Sequence, residues 1–510
     1  MKAFLFEKIL KLLFVSCGVF SIAGCQESVS NDSDGEHIHS FSQTYNYDEE
    51  YHWHDSTCGH DVIDGKEKHI FSDWIIDKDA TYESEGLKHQ ECEICNYIKE
   101  ESIPKLTIDL EFLEMPIFVL DTENHQSITS KEVYVNGSLS ILNAGEYNDY
   151  DLSLGIRGRG NYSWSGTEKK SYRIKFDKKY QPLGQGKGKA KSWTLLAVHC
   201  DKSMLRTDGA FHFASYLNNL PFVSSSSFVE LYLNNKYQGV YELCDQIQVN
   251  PNRVDIDDSG EEDDIGYLVE LDKNVSENAI KISTGETFEI KSDFVNISQK
   301  NFIKNYLDKC SKAIISGEYE KVDSLINILS MVDAYLVEEL FKNLDVGWGS
   351  FYYTKPKGEK LSFGPVWDFD LCAGNADSDN YDSAFPSYKY TYVGNDYFDY
   401  MQQHTWYKAL RKCDWFNELI SERWEEVKSF ASKTVTYISE QAESQINSFK
   451  RNFARWKIFN KKINREPTNI MAIKSFTGQV DFLTDWLTKR IDWLDKYYHN
   501  EVEDIKTYYY

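Results

Sequence analysis

The segments Asn343-Leu-Asp345 and Gly364-Pro-Val-Trp-Asp368-Phe-Asp370 decide the fold of this 510-residue chain and hold its candidate chemistry. Together they contribute three carboxylates, and Pro356-Lys-Gly358 between them is typical of a turn. The spacing predicts a strand, a loop and a returning strand that bring Asp345 and Asp368 together. Two converging carboxylates can hold a divalent metal, or one can hold metal while the other accepts a proton.

The charge balance restricts the class of partner. The chain has 81 acidic and 56 basic residues, which gives a formal net charge of −25. Nucleic-acid binding requires a basic surface that neutralises phosphates, so this composition argues against a nucleic-acid partner. The length predicts two or more domains with enough material for a large core.

The amino terminus has the pattern of a targeting signal. Three lysines lie in the first eleven residues, residues 12–23 are apolar, and Ser21-Ile-Ala-Gly-Cys25 resembles a bacterial lipobox. This pattern predicts a lipoprotein signal peptide over 1–25, a lipid on Cys25 and a flexible tether over 26–50. The protein is then expected at the extracytoplasmic face of a bacterial cell envelope, anchored by the lipid; an ordinary secretory signal is the alternative.

Residues 51–105 form a region rich in cysteine and histidine. Cys92-Glu-Ile-Cys95 has the spacing of half a zinc site. Cys58 with His54, His60 or His69 is a candidate for the other half, and His60 is the preferred histidine. The hypothesis is a small module with one structural zinc. A disulfide that involves Cys92 and Cys95 or Cys58, or a metal-capturing surface patch, are the alternatives.

Residues 106–500 are predicted to form one α+β unit with a strand-rich first half. Alternating apolar residues predict six strands, at Asp151–Ile156, Ser171–Phe176, Trp193–Val198, Phe228–Leu233, Gly239–Leu243 and Tyr267–Leu271. Asn234-Asn235-Lys236 is typical of a tight hairpin turn.

The second half is predicted to be mostly helical. Helical periodicity is present over 201–217 and again at five places beyond residue 300, namely 301–316, 322–344, 405–430, 433–456 and 473–498. Strands followed by helices, with an acidic site between them, predict a two-lobed fold with a sheet-rich first lobe and a helical second lobe.

Basic residues lie on one predicted strand and on the turn before it. In the strand, Arg173 and Lys175 share the face opposite to its apolar side chains, and the glycine-rich turn contributes Arg157 and Arg159. Cations buried together require an anion between them. That anion can be a phosphate or a carboxylate, and the candidate carboxylates are Glu230, Glu242 and Asp245.

A series of ordered motifs covers about residues 110–500. The motifs are Gly158-x-Gly-Asn161-x-Ser-Trp164, Lys170-x-x-Arg173-Ile-Lys175-Phe, Trp193-x-Leu-Leu-Ala197, Asp201-Lys-Ser203-x-x-Arg206, Gly239-Val-Tyr-Glu-Leu-x-Asp-Gln246, Arg253-Val-Asp-Ile256, Gly266-Tyr-Leu-x-Glu-Leu-Asp272 and Pro365-x-Trp-Asp-Phe-Asp370. In this order they resemble the CotH kinase family, the atypical protein kinases of the spore-coat-protein-H type.

The resemblance implies a divergent protein-kinase-like fold that transfers the γ-phosphate of ATP to protein serine with Mg or Mn. Asp345 matches the catalytic aspartate, which orients and deprotonates the acceptor hydroxyl. Asp368 matches the metal-binding aspartate, and Asp370 and Asn375 are candidates to complete the metal shell.

The cation that pairs with the phosphates is predicted to be Lys175, with Arg173 as the alternative. Glu242 or Asp245 is the candidate partner that holds the lysine in place. Arg157 and Arg159 complete the predicted ATP-binding set.

Three positions depart from the family pattern. Ser350 stands where kinases place a metal-binding asparagine, Asp245 stands where glutamate is usual, and Thr207 replaces a common asparagine. These departures leave two functional hypotheses. The first is an exported, lipid-anchored kinase that acts on Ser/Thr of surface or secreted proteins. The second is a catalytically weak or inactive kinase-like binding or scaffold protein at the cell surface.

Overall fold

The computed structural model describes residues 37–78, 85–104, 113–272, 276–377, 383–401 and 405–506. The predicted signal peptide and Cys25, the predicted site of lipid attachment, lie outside these residues. Among the described helices, none combines the length and the apolar character that a membrane crossing requires. The chain divides into two compact units, Met1–Ile108 and Asp109–Tyr510.

The first unit contains two small antiparallel sheets. The first sheet has the order β1-β2-β3, and the second has the order β4-β5-β6. Their strands are β1 (Asn46–Tyr47), β2 (Tyr51–Asp55), β3 (Ile63–Lys68), β4 (Ile75–Lys78), β5 (Gly86–Glu91) and β6 (Ile98–Ile103). Among the described residues of this unit, only His52, Gly86 and Cys92 are buried, so the unit has almost no apolar core.

The second unit begins with a closed barrel of seven strands. The strands are β7 (Ile117–Thr122), β8 (Val135–Leu142), β9 (Asp149–Gly158), β10 (Tyr172–Tyr180), β11 (Ala190–Leu196), β12 (Ser226–Leu233) and β13 (Lys236–Asp245). Their order around the barrel is β10-β11-β13-β12-β7-β8-β9. The pairing of β12 with β7 is parallel, and the other pairings are antiparallel.

Alternation along the strands fills this barrel. On β10, Tyr172, Ile174 and Phe176 point into the barrel core, which leaves Arg173 and Lys175 on its outer face. The predicted turn between β12 and β13 is present, with φ of 49° at Asn234 and 63° at Asn235. Positive φ at both central residues is the requirement of a type I′ hairpin turn, and asparagine tolerates it.

A five-stranded sheet follows, with the order β15-β16-β14-β17-β18. Its strands are β14 (Tyr267–Leu271), β15 (Ala279–Lys281), β16 (Thr287–Ile290), β17 (Phe351–Lys355) and β18 (Ser362–Phe363). Strands β17 and β18 pair antiparallel around Pro356-Lys-Gly358. This hairpin is the strand–loop–strand that the carboxylate spacing predicts.

The remaining chain is mostly helical. The helices are α1 (Tyr162–Ser165), α2 (Arg206–Ala214), α3 (Ile297–Ser316), α4 (Tyr319–Leu325), α5 (Ile328–Phe341), α6 (Thr405–Leu410), α7 (Asp414–Ser444), α8 (Ile446–Arg455), α9 (Thr468–Ala472) and α10 (Phe476–Tyr498). Helix α5 is buried on nearly all sides and forms the centre of the helical core.

The structure corrects three predicted helix boundaries. The helix predicted over 322–344 is two helices, because Asn327 begins α5 by accepting a hydrogen bond from the backbone N–H of Ser330. The helix predicted over 201–217 begins only at Arg206, after a turn that Asp201 caps. The break predicted near 431–432 is absent, since the buried stripe of α7 continues through that point at helical spacing; the stripe comprises Phe416, Ile420, Trp424, Val427, Ala431, Thr434, Ile438 and Ala442.

The protein is therefore a mixed α+β structure, as predicted. The closure of the strand-rich half into a barrel is a feature that the sequence did not predict.

Candidate functional site

A cavity of about 650 Å³ in the second unit contains most of the residues that the sequence singled out. Its volume lies within the range of cofactor-binding clefts. The predicted site residues on its wall are Arg157, Arg159, Arg173, Asp345, Asp368 and Asp370. The barrel supplies the arginines, and the segments around the β17–β18 hairpin supply the carboxylates.

The end of helix α5 positions Asp345. The helix stops at Lys342, whose φ of 52° turns the chain out of the helix. The Lys342 ammonium donates hydrogen bonds of 2.9–3.1 Å to three backbone carbonyls, at Ala384, Ser387 and Lys389. The Asn343 side chain then accepts a hydrogen bond from the backbone N–H of Asp345 at 3.1 Å. These contacts hold the loop before the hairpin in one conformation.

Asp368 lies just after β18 in a left-handed backbone conformation, with φ of 70°. Aspartate tolerates this conformation better than most residues do. The Ser350 hydroxyl, across the hairpin, donates a hydrogen bond of 3.0 Å to Asp368 Oδ2. Ser350 therefore orients Asp368 through a hydrogen bond.

The three carboxylates repel one another. Burial, and then the charge of Asp368, raise the pKa of Asp345 to about 7. Burial, followed by the charges of Asp368 and Asp345, raises the pKa of Asp370 well above its ordinary value. A divalent cation would relieve this repulsion, and an all-oxygen donor set suits Mg or Mn. These aspartates therefore offer the type of oxygen ligand that the divalent metal of a kinase requires.

The barrel contributes three arginines to the lining of the cavity. Arg157 on β9 is directly opposite Arg173 on β10, and Arg159 follows two residues after Arg157. Burial lowers the pKa of Arg173, and the charges of Arg157 and Arg159 lower it further. The buried Nε atoms of Arg157 and Arg173 have no hydrogen-bond partner among the described residues.

No carboxylate in the described part of the chain forms an ion pair with any of these three arginines. Guanidinium groups bind phosphate oxygens through paired hydrogen bonds. These arginines thus have the chemistry of a phosphate site, and they share one cavity with the candidate metal ligands.

The family model described as CotH kinase protein matches residues 156–494, which cover most of the chain. The chain belongs to the CotH kinase family. No curated protein matches it. Membership implies a protein-kinase-like function with dependence on ATP and a divalent metal.

Four predicted residues of the CotH kinase site are not on the cavity wall. Lys175 is exposed on the outer face of β10 and does not line the cavity, whereas Arg173 does. Asp245 forms a buried ion pair of 2.7 Å with Arg253. The predicted pairing of Lys175 with Glu242 or Asp245 is therefore replaced in the structure by a pairing of Asp245 with Arg253.

Glu242 and Asn375 are buried close to the site. Burial, and then the charges of neighbouring aspartates, raise the pKa of Glu242 well above its ordinary value. The Asn375 side chain donates a hydrogen bond of 2.7 Å to the backbone carbonyl of Asp370. Its contact supports the Asp370 loop.

The structure adds an ion pair that the sequence analysis did not assign. Lys291, just after β16, lies 2.6 Å from Glu270 on β14, and both residues line the cavity with Asp272. Glu270 and Asp272 belong to the Gly266–Asp272 motif, and this motif is the sequence feature that could have identified them as site residues. Lys291 lies outside every motif, so only the pairing of β14 with β16 brings it to the site.

The Asp201–Arg206 motif holds the loop that follows Asp370 in place. Arg206 is fully buried and forms an ion pair of 2.5 Å with Asp201. It also donates a hydrogen bond of 2.9 Å to the backbone carbonyl of Cys372. These contacts connect the start of α2 to the loop that follows Asp370. They give the motif a structural role that requires no contact with a substrate.

The predicted zinc ligands of the first unit fall into two groups rather than one. The amino-terminal cluster consists of His37, His39, Cys58 and His60. The Cys-x-x-Cys cluster consists of His52, His69, Cys92 and Cys95. The prediction of one site that joins Cys58 and His60 to Cys92 and Cys95 is therefore wrong, because spacing alone cannot show which half-sites share a centre.

Proposed function

We propose that this protein is an exported, lipid-anchored CotH-type kinase that transfers the γ-phosphate of ATP to Ser/Thr hydroxyls of surface or secreted proteins. The observation that carries the proposal is one cavity of about 650 Å³ whose lining includes three candidate carboxylates, Asp345, Asp368 and Asp370, and three arginines. Phosphoryl transfer requires mainly positioning and charge neutralisation, and these two groups of side chains are suited to both.

Each group has a defined task in this proposal. Asp345 accepts the proton of the acceptor hydroxyl, and its raised pKa of about 7 suits a base that works near neutral pH. Arg157, Arg159 and Arg173 bind the phosphate oxygens. Asp368 and Asp370 would hold Mg or Mn, which supplies charge neutralisation at the phosphates when bound.

The Lys291–Glu270 ion pair is a second source of positive charge at the cavity. Its lysine is half-exposed and its glutamate is nearly buried. We propose that the barrel and the helical part of the second unit act as the two lobes of a kinase-like fold. The lining of one cavity by barrel arginines and by carboxylates from the chain after the barrel supports this arrangement.

Transfer of labelled phosphate tests the proposal. The purified protein with Mg²⁺ or Mn²⁺ and γ-labelled ATP should label itself or a Ser/Thr protein. Asp368→Ala and Asp345→Asn should each abolish labelling, while Asp177→Ala, an exposed aspartate on β10, should retain it. Absence of transfer by the wild type with either metal, or equal transfer by the Asp368 variant, would refute the proposal.

Export and anchoring rest on the amino-terminal sequence. The lipobox-like Ser21–Cys25 segment supports lipid attachment to Cys25 and location at the extracytoplasmic face of the cell envelope. Cys25→Ser should move the protein from the membrane fraction to the soluble fraction. An unchanged distribution between the two fractions would contradict the anchor.

Ser350 favours a second function, a kinase-like binding or scaffold protein without turnover. Serine is a poorer metal ligand than asparagine, and its hydroxyl already donates a hydrogen bond to Asp368. This alternative predicts that ATP and metal raise the melting temperature without phosphate transfer. A thermal-shift measurement made beside the transfer assay separates the two functions.

A further inference from the structure

We propose that the first unit binds two zinc ions, one in each of its two Cys/His clusters, and that these ions replace the apolar core that the unit lacks. Each cluster offers four ligand atoms that lie within 4.8 Å of one another. This inference concerns a different unit from the kinase site and does not rest on kinase activity.

The distances within the clusters match zinc geometry. Tetrahedral zinc with ligand bonds of about 2.0–2.3 Å separates neighbouring ligand atoms by roughly 3.3–3.8 Å. The Cys58 sulfur lies 3.2 Å from His39 Nδ1 and 3.4 Å from His60 Nδ1. In the other cluster, the Cys95 sulfur lies 3.4 Å from His69 Nδ1.

The tautomer of His69 is set for metal binding. Its Nε2 lies 2.9 Å from the backbone carbonyl of Asp48, and a carbonyl oxygen can only accept a hydrogen bond. Nε2 therefore holds the proton, and a neutral His69 presents a lone pair at Nδ1 toward the Cys95 sulfur. A hydrogen bond from the second ring nitrogen to a carbonyl is the usual support of a zinc-bound histidine.

Burial distinguishes the Cys-x-x-Cys cluster from surface histidines. His52 is 1% exposed and Cys92 is 0% exposed, and both belong to the Cys-x-x-Cys cluster. The buried Nδ1 of His52 has no hydrogen-bond partner in the described part of the chain. A buried polar atom without a partner destabilises the folded state. A metal bond to His52 would supply a partner.

The topology shows what the Cys-x-x-Cys cluster would join. His52 lies on β2 and His69 follows β3, so both belong to the first sheet of the unit. Cys92 and Cys95 lie between β5 and β6 of the second sheet. A zinc ion here would connect the two sheets where no apolar core does so. Small domains without a sufficient core commonly depend on such a metal.

The amino-terminal cluster would close a separate loop. It joins the segment at His37 and His39 to the Cys58-Gly-His60 turn, and its ligands are more exposed than those of the other cluster. One thiolate with three histidines, and two thiolates with two histidines, are both donor sets that zinc accepts. The two sites should therefore differ in their number of metal–sulfur bonds.

Metal analysis of the full-length protein tests the two-site assignment. Purification without chelators should give about two zinc ions per chain by mass spectrometry of the metal content. Cys58→Ser should retain one ion, and Cys95→Ser should lose at least one. The control His54→Ala should retain both zinc ions. His54 lies two residues after His52 in the sequence but belongs to neither cluster.

Spectroscopy of the Co²⁺-substituted protein, as wild type and as Cys58→Ser, provides a second readout. Tetrahedral cobalt bands should appear, and Cys58→Ser should leave the stronger sulfur-to-cobalt charge transfer of the two-thiolate site. Loss of all metal in Cys58→Ser would indicate one shared site and overturn the assignment. A metal-free wild type with a Cys92–Cys95 disulfide, detected by peptide mass spectrometry, would also overturn it.

Discussion

Replacement of Asp345 by asparagine should stabilise the metal-free protein at pH 8 while it abolishes phosphate transfer. Burial and the charge of Asp368 raise the pKa of Asp345 to about 7, from an ordinary value of 3.8. The folded state therefore holds this proton more tightly than the unfolded state does. The contribution of Asp345 to stability is present at low pH, falls between about pH 4 and pH 7, and is absent at pH 8.

The two pKa values differ by about three, and each unit corresponds to about 1.4 kcal/mol, which gives an upper limit of about 4 kcal/mol. Asp345 is half-buried beside an open cavity, where solvent screens its charge. We therefore expect Asp345→Asn to increase the free energy of unfolding at pH 8 by about 2 kcal/mol, because asparagine has nearly the same shape and does not ionise.

Urea unfolding, followed by tryptophan fluorescence without divalent metal, measures this difference at pH 8 and at pH 4.5. The increase in the free energy of unfolding caused by Asp345→Asn should be smaller at pH 4.5, because Asp345 of the folded wild type is protonated there. Asp177→Asn is the matched control, because Asp177 is exposed and does not line the cavity. An asparagine variant that is less stable than the wild type at pH 8, or a gain equal at both pH values, would refute the electrostatic reasoning.

Three further predictions concern contacts around the cavity. Arg173→Ala should weaken ATP binding at least tenfold in a calorimetric titration, whereas Lys175→Ala should change it less than threefold; equal effects would contradict the assignment of Arg173 to the cavity wall. Ser350→Ala should lower Mn²⁺ affinity about tenfold, because it removes the donor to Asp368 Oδ2, and an unchanged affinity would show that this hydrogen bond does not matter. Arg253→Met should reduce the free energy of unfolding by about 3–5 kcal/mol, because Asp245 would be left buried without its cation; a neutral effect in urea unfolding would contradict this.

Local patterns made much of the fold predictable. The alternation of Tyr172, Ile174 and Phe176 identified β10 and its outward-facing cations. The Asn234-Asn235 pair identified the hairpin turn because few residues accept two positive φ values in succession. Barrel closure was not predictable in the same way, since the parallel pairing of β7 with β12 joins segments more than a hundred residues apart.

The site was predictable in its residue types but only partly in its geometry. Alternation places Arg173 and Lys175 on one face of β10, but it cannot show where along that face the cavity ends. The ion pair of Asp245 with Arg253 likewise depends on tertiary packing. In the first unit, the spacing of Cys58 and Cys92 gave no information about which histidines accompany each cysteine.

The proposed phosphoryl-transfer site requires the cavity arginines and carboxylates to act on one nucleotide and one metal ion. A structure with Mn²⁺ and a non-hydrolysable ATP analogue tests it most directly. We predict an anomalous Mn peak about 2.1 Å from the carboxylate oxygens of Asp368, with the phosphates in contact with Arg157 and Arg173. A nucleotide bound outside this cavity, or a metal peak remote from Asp368, would contradict the claim.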